Sequence, residues 1–255
     1  MMENITAVHN KTALVTGGAV GIGRAIVLEL SRLGYNVIIN YNSSEKEAME
    51  LKDTLEKQCA FCLAIKADIR NEQEVKSMID KSIAEFGKID VLINNSAVSH
   101  DSLFADKTAS DFRDTLDVNV VGTFLVSKLV GEIMYQNKFG RIINLSSTNG
   151  INTYFPMCID YDASKSAIIS LTHNLATQFA PYVCVNAIAP GFIATDSEIK
   201  DMDEEFIRAE EEKVMVRRAG TPEEVAKLVS FLVSDDAGFI NNSVIRIDGG
   251  IYGSH

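Results

Sequence analysis

Short apolar runs rich in Val and Ile recur along the chain, each separated from the next by a longer stretch in which apolar residues fall three or four positions apart. Uniformly apolar runs of this length suit strands buried on both faces, and the spacing between them suits amphipathic helices. The pattern predicts strands over 12–16, 36–40, 61–66, 91–94, 141–146, 183–189 and 244–247. It predicts helices over 24–33, 45–58, 72–86, 118–136, 164–179 and 222–234, several of them opened by Ser, Asn or Thr. Thr221-Pro222-Glu223-Glu224 combines a capping residue, a Pro suited to the first turn and two acids favoured by the helix dipole. No linker, low-complexity tract or repeat interrupts the series. The expected fold is therefore α/β: a doubly wound, Rossmann-like parallel sheet of about seven strands in a single domain spanning 1–255.

Composition narrows the picture. With 255 residues, 46% of them apolar, the chain can bury one large core. The N-terminus does not join a basic patch to an apolar segment, and no continuous apolar run reaches the roughly 18–20 residues that cross a bilayer, so a soluble cytoplasmic protein is expected. Cys59, Cys62, Cys158 and Cys184 are irregularly spaced, which suits free thiols. The Cys59/Cys62 pair lacks a second pair, and its segment reads as a buried strand, so core thiols are expected rather than a metal or redox site. A net charge of −11 opposes binding to nucleic acid or an anionic membrane. Much of that charge sits in the acid-rich run 201–212, which reads as a solvated helix face, with substrate selection as the alternative.

The first strand runs directly into Thr16-Gly17-Gly18-Ala19-Val20-Gly21-Ile22-Gly23, and a helical pattern follows at once. A Gly-rich turn in that position lets backbone approach a pyrophosphate while helix N–H groups face its charge. The second strand ends at Asn40, where NAD-selective folds place an Asp or Glu on the ribose 2′-hydroxyl. Asn42 and Ser43 continue with neutral hydrogen-bonding groups, so NADP(H) is expected over NAD(H), although the same residues would serve simply to open the next helix. Further along, Tyr161 and Lys165 stand four apart, on one face of a helix. A phenol is a poor acid at neutral pH, and a nearby cation favours its ionised form.

In this order, after successive strands, these motifs resemble the short-chain dehydrogenase/reductase family over essentially the whole chain. The glycine spacing is similar to TGxxxGxG, Asn94-Asn95-Ser96-Ala97 to NNAG with Ser and Ala in place of Ala and Gly, and Pro190-Gly191-Phe192-Ile193-Ala194-Thr195 to PGxxxT. The resemblance implies cofactor contacts at Gly17, Gly21, Ile22, Gly23, Asp68, Ile69, Asn95, Ala97, Pro190, Gly191, Ile193 and Thr195. It implies a catalytic set in which Tyr161 donates the proton, Lys165 supports it and binds ribose, Ser147 holds the substrate oxygen, and Asn119 completes a relay around a water; Thr148 is a second candidate for the serine's role.

The phrases Gly140-Arg-Ile-Ile-Asn-Leu-Ser-Ser and Arg217-Arg-Ala-Gly-Thr-Pro-Glu-Glu resemble bacterial 3-oxoacyl-(acyl-carrier-protein) reductases, and also recur in sugar, polyol and steroid dehydrogenases. The resemblance implies a small-molecule or acyl-thioester substrate, an acyl carrier protein as partner, and a homotetramer. Two departures pull away from the carrier protein: the bulky apolar Tyr154-Phe155-Pro156-Met157 before Tyr161, and the absence of a basic residue at Ala180-Pro181-Tyr182. A protein that binds the cofactor without catalysis is the reading outside the enzyme class.

Overall fold

Ala13 and Val15 in the first strand face one layer of helices while Leu14 faces the other, and all three are completely buried. The same two-sided burial in the neighbouring strands produces two apolar cores, one on each face of a single sheet. The computed structural model describes residues 11–152, 154–195, 200 and 202–251. Its sheet contains β1 (Thr12–Val15), β2 (Asn36–Tyr41), β3 (Cys62–Lys66), β4 (Val91–Asn94), β5 (Gly140–Leu145), β6 (Val183–Pro190) and β7 (Val244–Ile247). All pair in parallel, in the order β3-β2-β1-β4-β5-β6-β7. This is the doubly wound Rossmann-like sheet expected from the sequence.

Helices α1 (Gly21–Arg32), α2 (Glu45–Lys57) and α8 (Pro222–Leu232) bury apolar residues in one core. In the opposite core lie α3 (Glu72–Phe86), α5 (Thr123–Gln136) and α6 (Ile159–Gln178). Asn71 caps α3 by accepting from the backbone N–H groups of Gln73 and Glu74, and Thr221 with Glu224 forms a reciprocal capping box on α8.

The helix expected over 118–136 starts much earlier. Thr108 and Asp111 form a capping box that opens α4 (Ala109–Leu116), and a π-helical turn, Asp117–Gly122, joins α4 to α5. Thr115 is the one buried residue of α4, so no apolar period advertises it. Taken together, Ala109–Gln136 is a helix of 28 residues, long and apolar enough by length and composition to cross a bilayer, although no continuous apolar run spans it. Yet 44% of its most apolar stretch is inside the protein, and Val126, Val130 and Met134 are fully buried in the core, as in a core helix. Likewise α6 begins at Ile159 rather than 164, because its first turn is buried through Asp160, a charge rather than an apolar residue.

The thiol expectation fails at Cys59. That residue is exposed in a left-handed conformation (φ 59°) after α2, and β3 begins only at Cys62, which is half-buried. Phe61 between them is 73% exposed, as an edge position allows. The acid-rich run does form a solvated helix, α7 (Glu204–Lys213), which buries none of its side chains and is capped by Asp203; Asp201 lies outside the described residues.

Candidate functional site

Because every strand runs the same way, the segments leaving β1 to β6 gather along one rim of the sheet. The order reverses between β1 and β4, where an α/β sheet opens a crevice. Thr16 and Asn95 close the base of that crevice. The Thr16 hydroxyl oxygen accepts from the backbone N–H groups of Asn95 and Ser96 (2.9 and 3.1 Å), and the Asn95 amide donates to the carbonyls of Thr16 and Gly17, both at 3.0 Å.

The glycines of the loop answer a steric demand. A Cβ at Gly23 would lie 2.2 Å from the Gly17 carbonyl oxygen and 2.6 Å from the Asn95 amide nitrogen. Gly17 and Gly21 have φ of +59° and +52°, where a side chain is strained. No side chain caps the α1 N-terminus, and no acid occupies its first turn, so its N–H groups and positive dipole end are left for an anion. This cradle fits the pyrophosphate of a dinucleotide.

Beside it lies a cleft of about 350 Å3, whose lining includes Gly17, Asn40, Asn42, Ser43, Asp68, Ile69, Asn95 and Ala97. Asn40 is buried, and its amide is engaged with the Ala67 carbonyl at 3.0 Å, so it fixes the ends of β2 and β3. Asn42 and Ser43 are exposed at the mouth. Arg70 and Asp114 also line the cleft and were not singled out in the sequence. The Arg70 guanidinium spans Asp68 and Asp114, at 2.6 Å from each, and its bonds to Asp68 hold that carboxyl below the usual range. The signal for Arg70 was its place two residues after Asp68, a spacing with no apolar period to mark it.

Pro190 ends β6, and Gly191 donates to the Ile247 carbonyl at 3.0 Å while pressing against Asp248. Ile193 is buried and bridges to Gly220, and a Cβ on Gly21 would sit 3.6 Å from the Thr195 methyl. The segment after β6 therefore meets the Gly-rich loop, and Ile22 of that loop is half-buried against the core that includes Ile193.

Tyr161 and Lys165 share one face of α6, with the Lys165 ammonium 5.3 Å from the centre of the Tyr161 ring. Lys165 is enclosed, and its nitrogen donates to the Leu145 carbonyl at 2.7 Å. Burial lowers its pKa to about 8, so its charge is lost as pH rises through that value. The adjacent serines differ in their commitments. Ser146 donates to the Lys165 carbonyl at 2.8 Å, whereas the Ser147 oxygen accepts from the Asn149 N–H at 3.2 Å, leaving its own proton without a protein acceptor among the described residues. Thr148 is buried at the start of the next turn.

Asn119 lies in the π-helical turn and is buried. Its oxygen accepts from the Val98 N–H at 2.8 Å, and its amide nitrogen donates to the Val98 carbonyl (3.0 Å) and the Ser164 hydroxyl (2.9 Å). One amide thus joins the loop after β4 to the helix that bears Tyr161 and Lys165. Gly122 closes the turn, since a Cβ there would collide with Ile69 at 2.6 Å.

A second polar link lies directly before Tyr161. Asp160 is wholly buried, paired with Lys107 at 2.8 Å and accepting from the Thr115 hydroxyl at 2.6 Å. Desolvation opposes its charge, but these two donors outweigh it and hold the carboxyl below its ordinary range. Lys107 also donates to the His100 carbonyl, and the His100 ring meets Asp114 at 2.9 Å, so ionic and hydrogen-bonded groups run from α6 to the cleft. Substituting Lys107→Met strands a buried carboxylate and will lower stability by about 3 kcal/mol, roughly 10 °C in Tm. A calorimetric scan checks this, with Lys107→Met/Asp160→Leu expected to recover most of the loss.

A family model described as enoyl-(acyl carrier protein) reductase matches residues 17–252. The 3-oxoacyl-(acyl-carrier-protein) reductase of Staphylococcus epidermidis is 35% identical over 247 residues, covering 95% of this chain and 99% of that protein. The enzyme of the same name from Synechocystis is 36% identical over 249 residues, covering 97% and 99%. Glucose 1-dehydrogenase 2 of Bacillus subtilis is 33% identical over 244 residues, covering 94% of each. With these similarities joined to the parallel sheet, its glycine cradle and the Tyr161–Lys165 pair, the chain belongs to the short-chain dehydrogenase/reductase family and is an oxidoreductase of CH–OH/C=O pairs.

Proposed function

We propose that this chain is an NADP(H)-dependent reductase of 3-oxoacyl thioesters, working as one nucleotide-binding domain over 1–255. The observation that carries the reading is the enclosed Lys165 ammonium 5.3 Å from the Tyr161 ring, on the same rim as the cleft beside the glycine-rich loop. Gly17, Gly21 and Gly23 with the α1 N-terminus hold the pyrophosphate, Asp68 and Ile69 flank the adenine, and Asn95, Ala97, Pro190, Gly191, Ile193 and Thr195 line the nicotinamide half. When bound, the nicotinamide supplies two electrons as hydride to the carbonyl carbon.

The Tyr161 hydroxyl donates its proton to the carbonyl oxygen as that oxygen gains charge. The Ser147 proton hydrogen-bonds the same oxygen, which orients it and stabilises the developing alkoxide. The Lys165 ammonium favours the tyrosinate left behind and bonds the ribose, while Asn119 keeps the π-helical turn joined to α6 where the proton is replaced.

The 2′-phosphate belongs at Asn42 and Ser43. No carboxylate ends β2, and the cleft's own acids, Asp68 and Asp114, are engaged by Arg70. Substituting Ser43→Asp will lower kcat/KM with NADPH by about 10-fold or more and leave that with NADH within about threefold, by like-charge repulsion of the phosphate. A wild-type preference for NADH in the same steady-state assay would overturn NADP(H) selectivity. Four free thiols fit a cytoplasmic location, and the exposed Val121, Phe124, Phe231 and Phe239 fit a homotetramer.

A second reading, a free ketone such as a steroid or sugar derivative, is favoured by α7, whose Glu204, Glu205, Glu210, Glu211 and Glu212 oppose docking of an acidic carrier protein. Reduction of 3-oxoacyl-coenzyme A thioesters faster than of simple ketones supports the acyl reading. Binding of NADPH without reduction of any carbonyl in a broad panel would overturn both.

A further inference from the structure

Between Ser147 and α6 the described residues form only short turns, and a single side chain bonds three of them, one through its backbone and two through their side chains. Asp162, half-buried in the first turn of α6, follows Tyr161 directly. One carboxylate oxygen accepts from the Asn149 amide at 2.7 Å and from the Cys158 thiol at 3.5 Å. The other accepts from the Phe155 backbone N–H at 3.1 Å. Burial, and then the charge of Asp162, push the Cys158 thiol up to about 12, so it remains a protonated donor.

Each of these bonds has a neighbour with chemistry. Asn149 is the residue whose N–H bonds the Ser147 oxygen at 3.2 Å, so the carboxylate is two hydrogen bonds from the serine that holds the substrate oxygen. Phe155 meets Phe206 of α7 edge to face, with ring centres 6.5 Å apart. The Met157 carbonyl accepts from the Ser102 N–H at 3.0 Å, which ties the loop after β4 to the same segment. A charged acceptor with three donors is stronger than a neutral one and fixes direction as well as distance.

We propose that Asp162 is a positioning residue: it sets Ser147 through Asn149 and holds Phe155 against Phe206, forming an aromatic wall that selects carbonyl substrates with a long or bulky apolar group. The proposal rests on the reductase reading. It gives a role to the contact by which α7, a helix with no buried side chain of its own, meets the segment before Tyr161. It also gives a physical role to the bulky segment before Tyr161, where small residues would leave no wall.

The test compares a long-chain 3-oxoacyl-coenzyme A thioester with a small ketone, using kcat, KM, the Kd of NADPH by fluorescence, and Tm. Asp162→Ala is expected to raise KM for the long substrate by about 10-fold and lower kcat for both substrates by about 10-fold through Ser147, with the NADPH Kd within about twofold. Asp162→Asn, which keeps one acceptor oxygen, is expected to recover part of each loss. Phe206→Ala isolates the wall: KM for the long substrate rises about 10-fold, while both constants for the small ketone stay within about twofold. Variants that lower Tm but leave the kinetic constants of both substrates unchanged would overturn the proposal and leave the reductase reading standing. Absence of any turnover by the wild-type protein would remove both.

Discussion

Replacing Tyr161 by Phe lowers kcat for carbonyl reduction by about 10³-fold, within the range that a positioned general acid supplies. Phe keeps the ring that faces the Lys165 ammonium at 5.3 Å, and a cation is attracted to a phenylalanine face as well as to a tyrosine face. The substitution therefore removes the transferable proton and little of the packing. Circular dichroism and Tm stay close to the wild type, and the NADPH Kd changes by less than about threefold. The effect falls on kcat and kcat/KM together, as expected for an interaction made in the transition state. Turnover within threefold of the wild type, with fold and cofactor affinity intact, would refute the assignment of the proton to Tyr161.

Gly23→Ala is the second large effect, and it acts at the opposite end of the site. A Cβ placed 2.2 Å from the Gly17 carbonyl oxygen meets backbone rather than the flexible end of a side chain, so either the loop or the start of α1 must move. Movement of the loop also breaks the Asn95 bonds to Thr16 and Gly17 that join β1 to β4. Affinity for NADPH is expected to fall by about 100-fold or more, with Tm lowered by several degrees. The control is Gly87→Ala. Gly87 also has positive φ, 77°, but a Cβ there meets nothing within 4 Å, so the substitution costs about 1 kcal/mol of backbone strain and leaves NADPH affinity unchanged. Fluorescence titration and thermal melts separate the two. A Gly23→Ala protein that binds NADPH with wild-type affinity would show that the cradle is not where the nucleotide sits.

The strands and the large amphipathic helices were legible in the sequence because burial there is apolar and periodic. The helix starts furthest from expectation, those of α4 and α6, are the ones where burial is polar or slight, whereas α1 begins at Gly21, three residues before the expected 24 and inside the glycine-rich turn. Thr115 alone anchors α4, and Asp160 anchors the first turn of α6 through Lys107, so hydrophobic spacing carried no trace of either. The site divided in the same way. In the candidate site, the glycines and the Tyr161–Lys165 spacing could be read from short motifs with local chemistry, and Ser147 came only from the family resemblance. The partners that orient them come from distant positions: Asn149 with Asp162, Arg70 with Asp114, and Ser164 with Asn119. Such pairs have no fixed spacing, and each member looks like an ordinary polar surface residue until the fold brings it to its partner. The Cys59 expectation failed for a related reason, since its local sequence resembles a strand while the chain still needs a left-handed residue to leave α2.

The uniform direction of the seven strands separates what this protein can change from what it cannot. Every segment discussed for chemistry leaves a strand at its C-terminal end, while the turns that enter strands, such as Gly34–Tyr35, Gly87–Lys88 and Lys138–Phe139, lie along the far margin of the sheet. Tyr35 is buried in one core, but the exposed Gly87 and Lys138 belong to neither core. They are the places where sequence drift is tolerated and where a fluorophore or a grafted peptide can be carried without disturbing turnover, so the molecule offers a handle on one margin and its chemistry on the other.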